Sequence, residues 1–274
     1  MATDKESRVY ILGAGCSYHE QHGYPLAKQF VPELTSYAAR IAEVAECQRI
    51  RKAVEDTVTL LMQCQSGPSH ASTIDQLINL ILRGRCDDQL MALEPHSSAH
   101  IVSLRYEAAR KAKIATAACF LAREKAARQQ QIDKYKEFIL RKVLDQTGVS
   151  TPCRVRLQKT SARVLSFNYD RLFELAFFAS FADNSISQFY PYSDAVLNSG
   201  LTVLGTGMEV HKDRFCFLKL HGSIGMCCRK DPFGQRVHPI GDVTDWKEQN
   251  VTDGFYFSKE QSLYSSIEPL IVFP

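Results

Sequence analysis

The residues of this 274-residue chain that could do chemistry fall into three short polar signatures. They are Gly13-Ala14-Gly15-Cys16-Ser17, Asn168-Tyr169-Asp170 and His221-Gly222-Ser223. The glycine turn lets a backbone approach a pyrophosphate, and the N-terminus of a helix following it favours negative charge. It is a partial fingerprint, because Tyr18 stands where a third glycine would be. Ser17 is read either as a hydroxyl for phosphate or ribose, or as a helix cap. Asn168 follows a buried strand directly, and its amide needs a partner there. Asp170 is read as the N-cap of the next helix, as a pocket residue, or as both. His221 is the first choice for a reactive group, since a neutral imidazole can take a proton from a ribose hydroxyl or from water.

Each signature ends an apolar, strand-like run, at 9–12, 164–167 and 215–220. In an open α/β sheet, ligands bind beyond the carboxyl ends of the strands, where the strand order reverses. Three signatures meeting there would make a nucleotide pocket with reactive groups inside it, which points to an enzyme. Residues 8–30 read as a strand, a phosphate turn and the start of a helix. From 31 to 150 the period becomes helical: Ile41, Val44, Ile50, Val54, Val58 and Leu61 form one face. Ile101, Leu104, Ala108, Ala115, Ala118 and Leu121 form a second, and Ile74, Leu77, Ile78 and Ile81 a short third. Ser66-Gly67-Pro68-Ser69 is a turn. The Lys-, Arg- and Gln-rich stretch 123–141 reads as a solvated helix face rather than a nucleic-acid contact. After Gly148 and Pro152 the α/β pattern returns, with a helix over 171–181, loops with short strands over 183–213, and a further strand beginning at 270–273. The fold class expected is therefore α/β: a Rossmann-like, mostly parallel sheet from residues 1–30 and 155–274, with a helical subdomain, 31–154, inserted.

Taken together and in this order, the signatures resemble those of the sirtuin-like (SIR2-like) family. Its members carry a GAG-x-S turn followed by Gly-x-Pro, here Gly23-Tyr24-Pro25, then N-x-D and then HG, each after a strand. The resemblance covers roughly the first 30 residues and those from 160 onward. The sequences Leu165-Ser166-Phe167-Asn168-Tyr169-Asp170 and Lys219-Leu220-His221-Gly222-Ser223 look more like the divergent bacterial members than the protein deacylases. The resemblance implies NAD+ as substrate, with Gly13, Ala14, Gly15, Cys16, Ser17, Pro25, Asn168, Asp170, Gly222 and Ser223 around it. It implies that Asn168 faces the nicotinamide ribose, that Asp170 meets the carboxamide or orders the loop, and that His221 and Asn168 are catalytic. Departures matter as well. Leu26-Ala27-Lys28 stands where deacylases have Asp-Phe-Arg, and the longer spacing from Ser17 to Gly23 argues against an acyl-lysine channel. His19 and His22 in that spacing read as exposed loop residues more readily than as pocket lining. In this family such a sheet continues beyond an IVFP-like strand; the chain stops at Pro274, which is read as truncation.

Composition sets the outer bounds. The chain is long enough for one large α/β domain with an insertion, and 45% hydrophobic and 23% charged residues are ordinary for a globular protein. A net charge of +3 is too small to argue for nucleic acid, so direct nucleic-acid binding is not expected. Nine cysteines without a CxxC read as free thiols of a reducing cytoplasm. Adjacent Cys227-Cys228 cannot supply a tetrahedral site alone, so no zinc is expected. No apolar run reaches 18 residues, so no membrane span is expected. The leading expectation is an NAD+ hydrolase releasing nicotinamide and ADP-ribose. The resemblance adds the role of an antiphage defence effector, cytoplasmic, acting as a homo-oligomer or with a second defence-system protein. The alternatives are an NAD-dependent protein deacylase or ADP-ribosyltransferase, and a non-enzymatic module that binds NAD or ADP-ribose as a signal.

Overall fold

The short apolar runs become strands where β-branched and aromatic residues can lie against neighbours, and four of them pair in parallel. The computed structural model describes residues 8–18, 24–41, 48–65, 70–95, 100–144, 162–180, 201–203, 216–231, 234–239 and 267–271. Strands β1 (Val9–Leu12), β2 (Arg163–Ser166), β3 (Leu201–Val203) and β4 (Cys216–Lys219) form one parallel sheet in the order β1-β2-β4-β3. Leu12 lies beside Ser166, and Ser166 beside Lys219, so the carboxyl ends of β1, β2 and β4 are level. The ladder closes just beyond them: Phe167 N–H donates to the Leu12 carbonyl at 2.9 Å, and Leu220 N–H to the Ser166 carbonyl at 2.8 Å.

The strands after His221 behave differently. β5 (Gly222–Asp231), β6 (Gly234–Pro239) and β7 (Ile267–Ile271) pair antiparallel among themselves in the order β6-β5-β7, with an irregularity between Ser223 and Cys227. The strand expected from 270 thus begins at Ile267 and joins a second sheet, paired antiparallel with β5.

Most described residues are helical. Helix α1 (Ala14–Ser17) is a single turn, closed by Tyr24 N–H to the Ser17 carbonyl at 2.9 Å, where the sequence suggested a longer helix. The helical layer comprises α2 (Ala27–Ile41), α3 (Gln48–Gln65), α4 (Ile74–Leu82), α5 (Asp87–Leu93) and α6 (Ile101–Phe138), followed by a π-helical turn, Ile139–Val143. It therefore begins at Ala27, inside the segment assigned to the sheet. Helix α4 shows how the sequence dictates such an element. Thr73 caps it, accepting from Gln76 N–H at 3.3 Å; Asp75 sits in the positive first turn; and Ile74, Leu77, Ile78 and Ile81 bury one stripe. It ends in a Schellman motif, with Gly84 N–H on the Ile81 carbonyl and Arg85 N–H on the Leu80 carbonyl. Gly84 has φ +70°, and a Cβ there would collide with the Arg105 guanidinium, so glycine is required.

Helix α6 joins the layers. Over its 38 residues it runs about 57 Å at 1.5 Å per residue. Ala108, Ala112, Ala115 and Cys119 pack in the helical layer, whereas Ile132 and Tyr135, with Ile139 and Val143 beyond, pack against the parallel sheet. Ala117 meets Ile224 and Ile271 of the second sheet. The stretch 123–141 is consequently not one solvated face: Gln131, Ile132, Tyr135 and Ile139, at helical spacing, are buried. Helix α7 (Leu172–Ser180) covers the same sheet face, and Phe173 stacks on Phe217 with centroids 4.4 Å apart. On the other face of edge strand β1, Val9 and Ile11 are exposed. No described helix is long and apolar enough to cross a membrane.

One polar cluster sits inside this packing. Lys219 on β4 and Glu174 on α7 are both buried, with Nζ 2.9 Å from Oε1. Lys219 Nζ also donates to the Asp170 carbonyl, and Ser223 Oγ donates to Glu174 Oε1 at 3.3 Å. Burial pushes the Glu174 carboxyl up, against the opposing pull of the Lys219 ammonium. Removing one partner of such a pair leaves a charge stranded in low dielectric. Lys219→Met is therefore expected to cost about 3–5 kcal/mol in urea unfolding, and Lys219→Met with Glu174→Leu to recover much of it. A double variant as unstable as the single one would refute this account.

Candidate functional site

The level strand ends bring two of the three signatures into direct contact. Asn168, just past β2, donates from Nδ2 to Ser17 Oγ at 3.1 Å, and Ser17 Oγ shares a hydrogen bond of 2.8 Å with the Tyr135 hydroxyl on α6. All three side chains are buried, so the chain Tyr135–Ser17–Asn168 holds the Asn168 amide in one orientation. Burial, and then the Asp170 charge, push the Tyr135 hydroxyl well above its ordinary pKa, so it stays a neutral hydrogen-bonding group. Within the chain Ser17 ties α6 to Asn168, and it also lines the cleft described below.

Asp170 acts on its own turn. Its Oδ1 accepts from Leu172 N–H at 3.0 Å, which caps α7 from one residue further out than the sequence suggested. His221 is half-buried, with its ring 5.2 Å from Phe167, edge to face, and 6.0 Å from Tyr169. The second sheet is tied to the same turn by Ile224 N–H on the Tyr169 carbonyl at 2.9 Å.

Between the parallel sheet and the helical layer lies a cleft with a cavity volume of about 90 Å³. At roughly 10–15 Å³ needed for one water, it has room for several waters. Ala14, Ser17, Pro25, Asn168 and Asp170 line it, together with Asp75 and the rings of Tyr24, Phe30, Phe120, Phe167 and Tyr169. Asn168 is only 7% exposed, and its Oδ1 has no hydrogen-bond partner among the described residues. A buried carbonyl oxygen left so costs about 1–3 kcal/mol, which a ligand donor would offset.

The other candidates stand around the cleft without lining it. His221 packs on Phe167 and Tyr169, which do line it. Gly13, Gly15 and Cys16 stand on the neighbouring turn; a Cβ added to either glycine meets nothing within 4 Å. Gly13 has an ordinary extended φ of −110°, so neither its backbone nor its packing among the described residues calls for glycine there. Gly222 opens β5 beside Ile271. Ser223, expected among the binding residues, is fully buried with its hydroxyl on Glu174, which commits it to the ion pair instead of the cleft. Gly23, His19 and His22 lie outside the described residues, as do the side chains of Cys227 and Cys228, the 66–69 turn, Gly148 and Pro152.

Sequence reasoning missed Asp75, Tyr135, Lys219 and Glu174. Asp75 looked like a first-turn acid and Tyr135 like part of a solvated face; the one available signal was a lysine inside an otherwise apolar strand run. Among the described residues no group of three or more His, Cys, Asp or Glu is arranged to hold a metal. Cys16, Cys64, Cys86 and Cys119 are free thiols. No protein-family model matches this chain, and no curated protein matches it.

The buried relay gives a direct test. Tyr135→Phe removes only the hydroxyl and leaves Ser17 and Asn168 short of a partner. The expected loss is about 1–3 kcal/mol of stability, read by chemical denaturation. An unchanged midpoint would mean that the relay is not formed.

Proposed function

We propose that this chain is a SIR2-like NAD+ hydrolase that cleaves NAD+ into nicotinamide and ADP-ribose, on a parallel sheet of Rossmann-like type. The observation that carries this reading is the unpartnered Oδ1 of Asn168, buried in a cleft at the ends of β1 and β2. An oxygen so placed wants a hydroxyl or amide donor from outside the chain, and the nicotinamide riboside end of NAD+ offers both. That no described residue lies within 4 Å of a Cβ at Gly13 or Gly15 supports the reading too, since a pyrophosphate can lie against such a backbone.

The chemistry then follows from the residues. The bond from ribose to the pyridinium nitrogen breaks with its electron pair going to nitrogen, so nicotinamide leaves neutral and needs no proton. Water forms the new bond to the ribose carbon, and His221 takes the proton that water releases. Asn168, held by Ser17 and Tyr135, orients the ribose or the water without reorganising during the reaction. The aromatic walls keep bulk water away from the developing cation. On this reading the protein is cytoplasmic and carries no zinc. It acts in antiphage defence by depleting NAD+, as a homo-oligomer or with a second defence protein, and binds neither membrane nor nucleic acid directly.

The test is incubation of the complete, activated protein with NAD+ and separation of products, with and without an acylated peptide. Nicotinamide and ADP-ribose are expected without the peptide. His221→Ala is expected to lower the rate by about 10²–10⁴-fold, and Asn168→Ala comparably, because positioning contributes on a similar scale. Gly15→Ala is expected to keep the melting temperature and weaken NAD+ binding, since its methyl group would occupy space open in the chain alone. Equal cleavage with and without His221 would overturn its assignment as base.

A further inference from the structure

The helical layer holds two thiols in contact. Cys64 lies in the last turn of α3 and Cys86 just before α5, 22 positions apart, with their sulfurs 3.3 Å from one another. Both are buried, at 1% and 0% exposure. Bonds that do not involve sulfur fix the backbone on each side. The Cys64 carbonyl accepts from Ala71 N–H at 3.2 Å, and the Cys86 carbonyl from Leu90 N–H at 2.9 Å. Arg105 grips Asp87, the residue after Cys86, through Nε on Oδ1 at 2.8 Å, and its guanidinium lies against Gly84. The segment between the two cysteines includes all of α4, with Ile74 and Asp75 that line the cleft.

We infer that Cys64 and Cys86 form a disulfide when the chain meets a peroxide, a staple that closes the α4 segment against α3 and α5. This goes beyond the hydrolase reading and does not rest on it. A disulfide holds its sulfurs about 2.05 Å apart, so the pair closes by about 1 Å, within reach of side-chain rotation on a fixed backbone. Hydrogen peroxide is the oxidant. One sulfur takes an oxygen as the O–O bond breaks, which gives a sulfenic acid and one water. The other sulfur then forms the S–S bond, and the sulfenic oxygen leaves as a second water. The pair gives up two electrons, and its two thiol protons go out with the waters. Burial, and then the Cys64 thiol and the Asp87 charge, push the Cys86 thiol up to about 12, so it stays protonated at neutral pH. Protonated thiols react slowly, so the pair is not a fast peroxide sensor, and in a reducing compartment both stay thiols. The same surroundings give the reduced form no stabilised thiolate, so the disulfide, once made, is hard to reduce. The staple is slow to set and holds until the helical layer opens to a reductant.

The folded full chain is incubated with hydrogen peroxide, unfolded in a thiol-alkylating reagent, digested and mapped by mass spectrometry. A linked Cys64–Cys86 peptide is expected, forming more slowly than oxidation of the exposed Cys16. Amides of α4 are then expected to exchange hydrogen at least about tenfold more slowly than in the reduced chain, because the cross-link removes open states of the segment it encloses. Dithiothreitol is expected to spare the link in the folded chain and to break it in urea. Cys86→Ser is expected to give no link and no slowing, with Cys64 recovered as a thiol; mapping of the unaltered chain stands even where that variant fails to fold. Both cysteines still open to alkylation after about ten times the period that consumes Cys16, or either one joined to a different cysteine, would overturn the inference. So would a link that leaves exchange in α4 unchanged. Cleavage of NAD+ enters none of these readouts, so the hydrolase reading stands or falls apart from them.

Discussion

The buried contact between Lys219 and Glu174 is the constraint on which the arrangement of this protein turns. Two charges in the interior carry a desolvation penalty of several kcal/mol each, so the surrounding chain must hold them at hydrogen-bonding distance. Lys219 is the last residue of β4 and Glu174 lies in the first turn of α7, so their contact fixes the strand leading to His221 against the helix leaving Asn168-Tyr169-Asp170. Lys219 reinforces this through the Asp170 carbonyl, and Ser223, just past the His221 turn, completes the cluster.

Helix α6 performs the corresponding task on a larger scale. It packs with small residues in the helical layer, with Ala117 on the second sheet, and with Ile132 and Tyr135 on the parallel sheet. The cleft opens along this seam: Thr116 and Phe120 come from α6, Phe30 and Asp75 from the rest of the helical layer, and Asn168, Tyr169 and Asp170 from the sheet. Its dimensions are therefore set by how the layers dock, and neither layer contains it alone. Phe120 is the joint in this wall, stacking on Tyr24 at 5.0 Å and meeting Phe30 at 5.3 Å and Tyr169 at 6.1 Å.

The two glycines of the first turn and the glycine ending α4 illustrate different reasons for one residue type. Gly84 is demanded by a left-handed backbone and by Arg105 pressed against it. At Gly13 and Gly15 an added Cβ would meet no described residue within 4 Å. Nothing within the described protein accounts for them, whereas a ligand backbone or phosphate approaching that turn would.

Local physics made much of this legible in the sequence. Short apolar runs ending in Leu12, Phe167 and Leu220 read as strands because a parallel sheet needs such runs, and the period of Ile74, Leu77, Ile78 and Ile81 reads as a helix because only one face of α4 is buried. The polar residues beyond those runs stood out because strand ends are where a sheet exposes chemistry. Other features depended on distance in space. Nothing in the sequence separates Tyr135 from a solvated face, because its partner Ser17 lies 118 residues away. Asp75 satisfies every local requirement of a helix first turn, so its place in the cleft emerges only when α4 docks beside Tyr169. Glu174 and Lys219 look like an ordinary first-turn acid and a strand-end base until α7 and β4 close over them. The sequence alone determined the elements and their polar ends, through dihedral preference and hydrophobic period. Only the tertiary structure decided which of those ends share a cleft and which serve the core, because hydrogen bonds and ion pairs between distant residues exist only once burial has removed their water.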